Sequence, residues 1–230
     1  MGESLRYGVK VKNKKMMNCF KTSLLALFVT TLPFRAGKAA RVNSSKCKEI
    51  STLDPFNLTE YVAHEWYSIE QRPTSFQPRR DMFCVRANYA LEGEKSISIW
   101  NTATRDGVSG AVRNADGLFK LRGIIKDPDV SSKLVVGLPF LPLSMYEPYW
   151  IVAADLEKEG AKWAFISGGP LTTPKSSGLC EPSGGLWLLA SDPFVSENII
   201  SEIKSRVRDL GIDCTALVRV AHRGCNYPTL

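Results

Sequence analysis

From Glu65 to Ala190, short segments with side chains alternating between apolar and polar follow one another at close, regular spacing. A period of two marks strands with one buried and one wet face. Turn residues between such runs favour antiparallel neighbours. The predicted strands are 65–71, 83–91, 96–102, 118–125, 132–138, 149–155, 162–167 and 185–190. In the second, Val85, Ala87, Tyr89 and Leu91 alternate with Cys84, Arg86, Asn88 and Ala90. The fourth sets Phe119 and Leu121 against Lys120 and Arg122, and the fifth sets Leu134, Val136 and Leu138 opposite Lys133. A Pro-rich connection, Pro139 to Pro148, precedes the sixth, and a Gly/Pro/Ser-rich loop carrying Cys180 precedes the eighth.

The period then changes. Asp192-Pro193 reads as a helix start, Ile199, Ile203, Val207 and Leu210 recur at helical spacing, and Gly211 stops the run. A short ninth strand is predicted over 215–220. Eight antiparallel strands and one amphipathic helix predict an all-β fold. The expected form is an eight-stranded up-and-down barrel with the helix packed outside. Eight strands enclose room for side chains, or for one small ligand.

The helix also accounts for an inversion in the first strand. Asn57 to Pro73 runs from a capped turn of helix into Trp66-Tyr67-Ser68-Ile69-Glu70. If Trp66 points inward as a plug at one end, Ser68 and Glu70 point inward with it, and Tyr67 and Ile69 point outward. The apolar stripe of the 194–210 helix is expected to cover those two.

The formal charge of +7 does not describe the folded part. Eight of the 30 basic residues and one of the 23 acidic residues fall in 1–39, so 40–230 holds 22 of each. A neutral body argues against a nucleic-acid partner. Residues 1–39 read as a secretory signal peptide: lysines, the short apolar run Ser23 to Leu32, then the small-residue exit Gly37-Lys38-Ala39. That run is shorter than the roughly 20 residues a spanning helix needs. The basic region is long, and translation begins at Met1, Met16 or Met17, the later starts giving a shorter leader. Residues 40–56 form a tail and 57–228 the barrel domain, in a secreted or endomembrane-lumen protein.

With Cys19 removed, Cys47, Cys84, Cys180, Cys214 and Cys225 fit two disulfides and one free thiol in an oxidising compartment. Asn43-Ser44-Ser45 and Asn57-Leu58-Thr59 are glycosylation sequons. Two distant histidines and no C-x-x-C spacing give no metal site, and no nucleophile–His pair points to a catalytic centre. No cofactor is called for.

Four pieces in order resemble the lipocalin family, in the branch of apolipoprotein D, bacterial lipocalins and temperature-induced lipocalins. They are Asn57–Arg72, similar to a short helix leading to Gly-x-Trp-Tyr; Cys84–Leu91; Tyr149–Ala153 with Trp163–Ile166; and Leu186–Leu189 followed by Pro and a helix. The likeness covers roughly 53–228. His64 stands where the family has Gly, and Ser191 where it has an Arg that lies over the first-strand Trp. The resemblance implies a bridge from the second strand to the C-terminal tail, Cys84–Cys225. With it goes Cys47–Cys180, joining the N-terminal tail to a loop, with Cys214 free.

It also implies a monomeric carrier of a small hydrophobic ligand: fatty acid, sterol, retinoid, carotenoid or bilin. The family's cavity aromatics match Tyr89, Trp150 and Trp187. Phe119, Val136 and Leu138 are expected beside them, with Glu70 as a polar inward group and Trp66 structural. Leu138 to Leu143 is either a stiff connection or a lid or membrane-touching loop. Two other readings stand beside the carrier. One is an enzyme on a lipocalin-like barrel, resembling a de-epoxidase, with Glu70 and Tyr89 or Tyr149 as acids. The other is an interaction module with a filled barrel.

Overall fold

The computed structural model describes residues 46–114, 118–157 and 159–228. The predicted leader and the Asn43 sequon lie outside the described residues.

A five-residue helix, α1 (Leu58–Val62), leads into the sheet. Asn57 caps it, its Oδ1 accepting from the backbone N–H of Glu60 at 3.1 Å. The strands are β1 (Trp66–Gln71), β2 (Phe83–Leu91), β3 (Ser96–Thr104), β4 (Val112–Arg113), β5 (Lys120–Ile125) and β6 (Lys133–Gly137). They continue as β7 (Glu147–Asp155), β8 (Trp163–Ser167), β9 (Leu171–Pro174), β10 (Cys180–Pro182), β11 (Leu186–Ala190) and β12 (Val218–Arg219).

Eight of them, β1, β2, β3, β5, β6, β7, β8 and β11, pair in sequence order, and β11 returns to pair with β1. Closure removes the exposed sheet edges at which chains aggregate. The predicted eight-stranded barrel is therefore the observed one. β4 extends the β3 edge, and β9 and β10 form a small hairpin inside the loop read from sequence as irregular. The predicted ninth strand shortens to β12, which lies against Glu70 and Gln71 of β1.

The helix α2 (Glu197–Asp209) lies outside the barrel. Its Ile200, Ile203 and Val207 pack on Ile69, Val152, Trp163, Phe165, Leu186 and Leu188. Ile69 is thus covered as expected, while Tyr67 lies against His222 and Tyr227 of the C-terminal tail. Asp192 does not start the helix. Its Oδ1 accepts from the Phe194 N–H at 2.8 Å, closing a turn ahead of Ser196, the residue that precedes the helix.

A second cluster lies inside the barrel: Ile97, Ile99, Ile125, Leu134, Ile151, Ala164, Ile166 and Leu189 from the strands, with Leu58 and Tyr61 from α1. Cys47–Cys180 and Cys84–Cys225 are bonded and Cys214 is free and buried. Each bridge closes a loop of more than 130 residues, where cross-linking restricts the unfolded chain most. Burial pushes the Cys214 thiol up to about 12, so it stays protonated and unreactive.

Candidate ligand site

Antiparallel order puts alternate connections at the same end of the barrel. The β1–β2, β3–β5, β6–β7 and β8–β11 connections make one end. The other carries α1 and the start of β1.

The α1 end is closed. Trp66 is fully buried, and its Nε1 donates to the Tyr61 carbonyl at 2.8 Å. The Tyr61 ring stacks on the Trp66 indole at 5.0 Å, and His64 meets it edge-on at 6.0 Å. A short helix and an indole therefore form a dry floor.

Above the floor stands a chain of three hydroxyls. Tyr149 Oη lies 2.7 Å from Tyr61 Oη and 2.9 Å from Tyr89 Oη. Burial first, then charge repulsion from its tyrosine neighbours, holds Tyr61 well above the ordinary tyrosine range. Tyr149 is raised likewise, by burial and then by Tyr89. Burial raises Tyr89 too, against the lowering effect of its hydrogen bonds. All three remain neutral hydroxyls at physiological pH. Toward the open end the inner face is apolar: Leu121, Val136, Tyr149 and Trp187. These four pack on the inner cluster yet are only half-buried, so the inner face keeps accessible apolar surface toward the mouth.

The Trp187 position near the mouth depends on the backbone beneath it. A Cβ on Gly185 would stand 2.0 Å from the Trp187 ring, so only glycine allows the indole to lie there. Tyr149 and Trp187 approach to 6.2 Å between ring centres.

Of the residues singled out from sequence, Tyr89, Val136 and Trp187 lie on the inner face and Trp66 on the floor. Leu138 sits half-buried just beyond β6. Phe119 precedes β5 and is 68% exposed, a rim residue rather than a wall residue.

Two expectations are corrected. Glu70 does not face inward: its Oε2 accepts from Lys204 Nζ of α2 at 2.8 Å, outside the barrel. The cause is a bulge between Ser68 and Glu70, which inserts Ile69 and reverses the faces beyond it. Gln71 takes the inward place, opposite Trp187, with its Oε1 accepting from Ser68 Oγ at 2.7 Å. Trp150 also faces outward, its ring beneath the Lys133 ammonium at 4.8 Å, and Tyr149 is the inward member of that pair. In β7 both faces are buried, one by the barrel and one by α2, so apolar alternation carries no sign there. Tyr61 and Gln71 are site residues the sequence reading did not select, and Tyr149 is one it named only as an acid of the enzyme alternative. The Tyr149-Trp150 pair holds the signal for one of them, and the bulge hides another.

An open depression of about 600 Å³ lies outside the floor, lined by Leu53, Phe56 and Leu58 but also by Glu60, Asp155 and Glu157. Its carboxylates and its openness set it apart from the apolar cup.

Residues 56–222 match the family model described as a lipocalin-like domain. The chain belongs to this family. This lipocalin is 24% identical over 204 residues to apolipoprotein D of Mus musculus, across 87% of this chain and 96% of that protein. It is 26% identical over 146 residues to apolipoprotein D of Macaca fascicularis, across 63% and 71%. Insecticyanin from the tobacco hornworm Manduca sexta superposes with a TM-score of 0.51 at 15% identity, over 79% of this chain and 89% of that one, a likeness of fold. Within the lipocalin frame the floor is packed despite the departures at His64 and Ser191. Tyr61 covers the indole, while Ser191 ties β11 to β8: its Oγ accepts from the Lys162 N–H and its own N–H donates to the Lys162 carbonyl, both at 2.9 Å.

Proposed function

We propose that this lipocalin is a secreted, monomeric carrier of a small hydrophobic ligand of the fatty acid, sterol, retinoid, carotenoid or bilin class. The observation that carries the reading is the accessible apolar surface on the inner face. Leu121, Val136, Tyr149 and Trp187 pack on the inner cluster yet stay half-buried, above a packed floor. Burying about 300 Å² of ligand surface there yields roughly 7–8 kcal/mol before ordering costs. Two disulfides fit an oxidising compartment, and Asn57, exposed at the start of α1, is open to glycosylation. The enzyme reading loses its carboxylate, because Glu70 lies under α2 and not in the cup, and keeps only Tyr89 and Tyr149 inside.

Native mass spectrometry of protein from its own source tests the carrier. A retained apolar molecule that quenches tryptophan emission on rebinding is the expected result. An empty barrel that takes up no apolar probe overturns it and leaves the filled-barrel reading.

A peripheral membrane contact belongs to the same reading. Most of the exposed large apolar side chains among the described residues stand on the mouth connections: Phe76, Val112, Phe119, Phe140, Leu143 and Met145. Arg79 and Arg80 stand exposed on the same connection as Phe76, and exposed Lys120 follows Phe119 in the chain. Apolar tips among cations suit an anionic lipid surface, from which an apolar cargo enters the cup without crossing water.

A further inference from the structure

The carrier reading leaves the polar end of the ligand unspecified, and the interior restricts it. Three tyrosine hydroxyls bring three protons to one place, and their mutual contacts use two. No other described residue receives the third. Gln71 adds a second unused donor: its Nε2 is buried without a partner, on the inner face opposite Trp187. An enclosed donor left unpaired is costly, and natural interiors seldom keep one without a use.

Charge is kept to the mouth as well. The inward residues deeper in the barrel, Ala87, Tyr89, Leu121, Val136, Tyr149 and Gln71, are uncharged, and Glu147 opposite Val136 and Arg113 opposite Ala103 are exposed at the rim. Arg86, the most enclosed cation, lies on the outer face between Trp100 and Tyr227. A carboxylate entering the cup would lose its hydration with no cation to replace it. An uncharged carbonyl oxygen would lose little and gain the spare proton.

Resting on the carrier reading, we propose that the tyrosine cluster is a recognition site for an uncharged carbonyl at the inner end of an apolar ligand. Tyr149 or Tyr89 donates the hydrogen bond, and Trp187 packs on the apolar body above it. The site selects ketones, aldehydes and esters over carboxylates and over plain hydrocarbons of the same shape.

The test uses the full secreted chain, stripped of lipid, and three matched naphthalene probes. One is a naphthyl ketone whose emission moves to longer wavelength when its carbonyl accepts a hydrogen bond. The others are the naphthyl hydrocarbon and the naphthyl carboxylate of equal length. The ketone is expected to bind roughly tenfold tighter than either, with its emission shifted. In Tyr149→Phe that preference shrinks and the shift is lost; in Tyr67→Phe, on the outer face, both persist. Equal binding of ketone and hydrocarbon with no emission shift overturns the inference and leaves the carrier standing. Tighter binding of the carboxylate overturns it too. Failure of all three probes to bind removes the carrier reading itself. The ketone–hydrocarbon comparison needs no variant, so a Tyr149→Phe chain that fails to fold does not spare the proposal.

Discussion

The two ends of this barrel are built from similar residues and do opposite things. At the α1 end, Trp66 and Tyr61 are fully buried, stacked and hydrogen-bonded. At the other, Trp187 and Tyr149 keep accessible surface, and Phe76, Phe119 and Phe140 stand 67%, 68% and 77% exposed. What differs is the cover. A short helix folds across one end, while the mouth is crossed only by connections whose large apolar groups point away from the core. Aromatic content alone therefore does not distinguish a plug from a lining. The presence of an element across the opening does.

Four measurements bear on that contrast. The largest effect is expected at the floor. Trp66→Ala leaves a hole under Tyr61 and should lower stability by about 3–5 kcal/mol in urea unfolding. A loss under 1 kcal/mol would mean that the floor does not anchor the barrel. At the mouth, Gly185→Ala drives a methyl into the Trp187 ring, and a loss of about 1–3 kcal/mol is expected. Tryptophan emission should change with it, since the displaced indole leaves the inner wall.

Acid offers a milder handle on the wall beside the mouth. His222 Nε2 donates to the Ser68 carbonyl at 2.9 Å and its Nδ1 accepts from Tyr227 Oη at 2.6 Å, pinning the tail that Cys225 ties to β2. Burial lowers the His222 pKa in the folded chain, the Ser68 hydrogen bond opposing it. Its contribution is therefore intact above the ordinary histidine value near 6.5 and is lost as pH falls below that toward the folded value. Unfolding free energy measured from pH 7.5 to 5 should decline more in the natural chain than in His222→Asn, which cannot titrate. The smallest effect on stability is expected at the rim. Phe76→Ser, Phe119→Ser and Phe140→Ser together should change it by less than about 0.5 kcal/mol. The same triple change should abolish flotation with vesicles containing phosphatidylserine. If flotation persists, the exposed rim is not a lipid contact.

Much of the architecture is legible in the chain. Strand order, the closing helix and the outward set of Tyr67 and Ile69 follow from periodicity, because a half-buried strand must alternate. The disulfide pairing came from family resemblance and agrees with the structure. The site is less legible, for two physical reasons. A bulge is one inserted residue, and Ser68-Ile69-Glu70-Gln71 carries no proline, glycine or other mark of it. Its consequence is complete, since every side chain beyond it changes face, which sends Glu70 to Lys204 and brings Gln71 inside. In β7, burial on both sides erases the difference between inward and outward, so Tyr149 and Trp150 look interchangeable.

By itself, then, the sequence determined that these strands close into a barrel with one helix outside and one large indole at the start. Local periodicity and turn chemistry suffice for that. Only the tertiary structure decided which aromatic faces the ligand space, that Tyr61 covers the indole at the floor, and that three hydroxyls meet within the cup. Those outcomes depend on where residues far apart in the chain meet, and on a one-residue shift in register that local propensity does not encode.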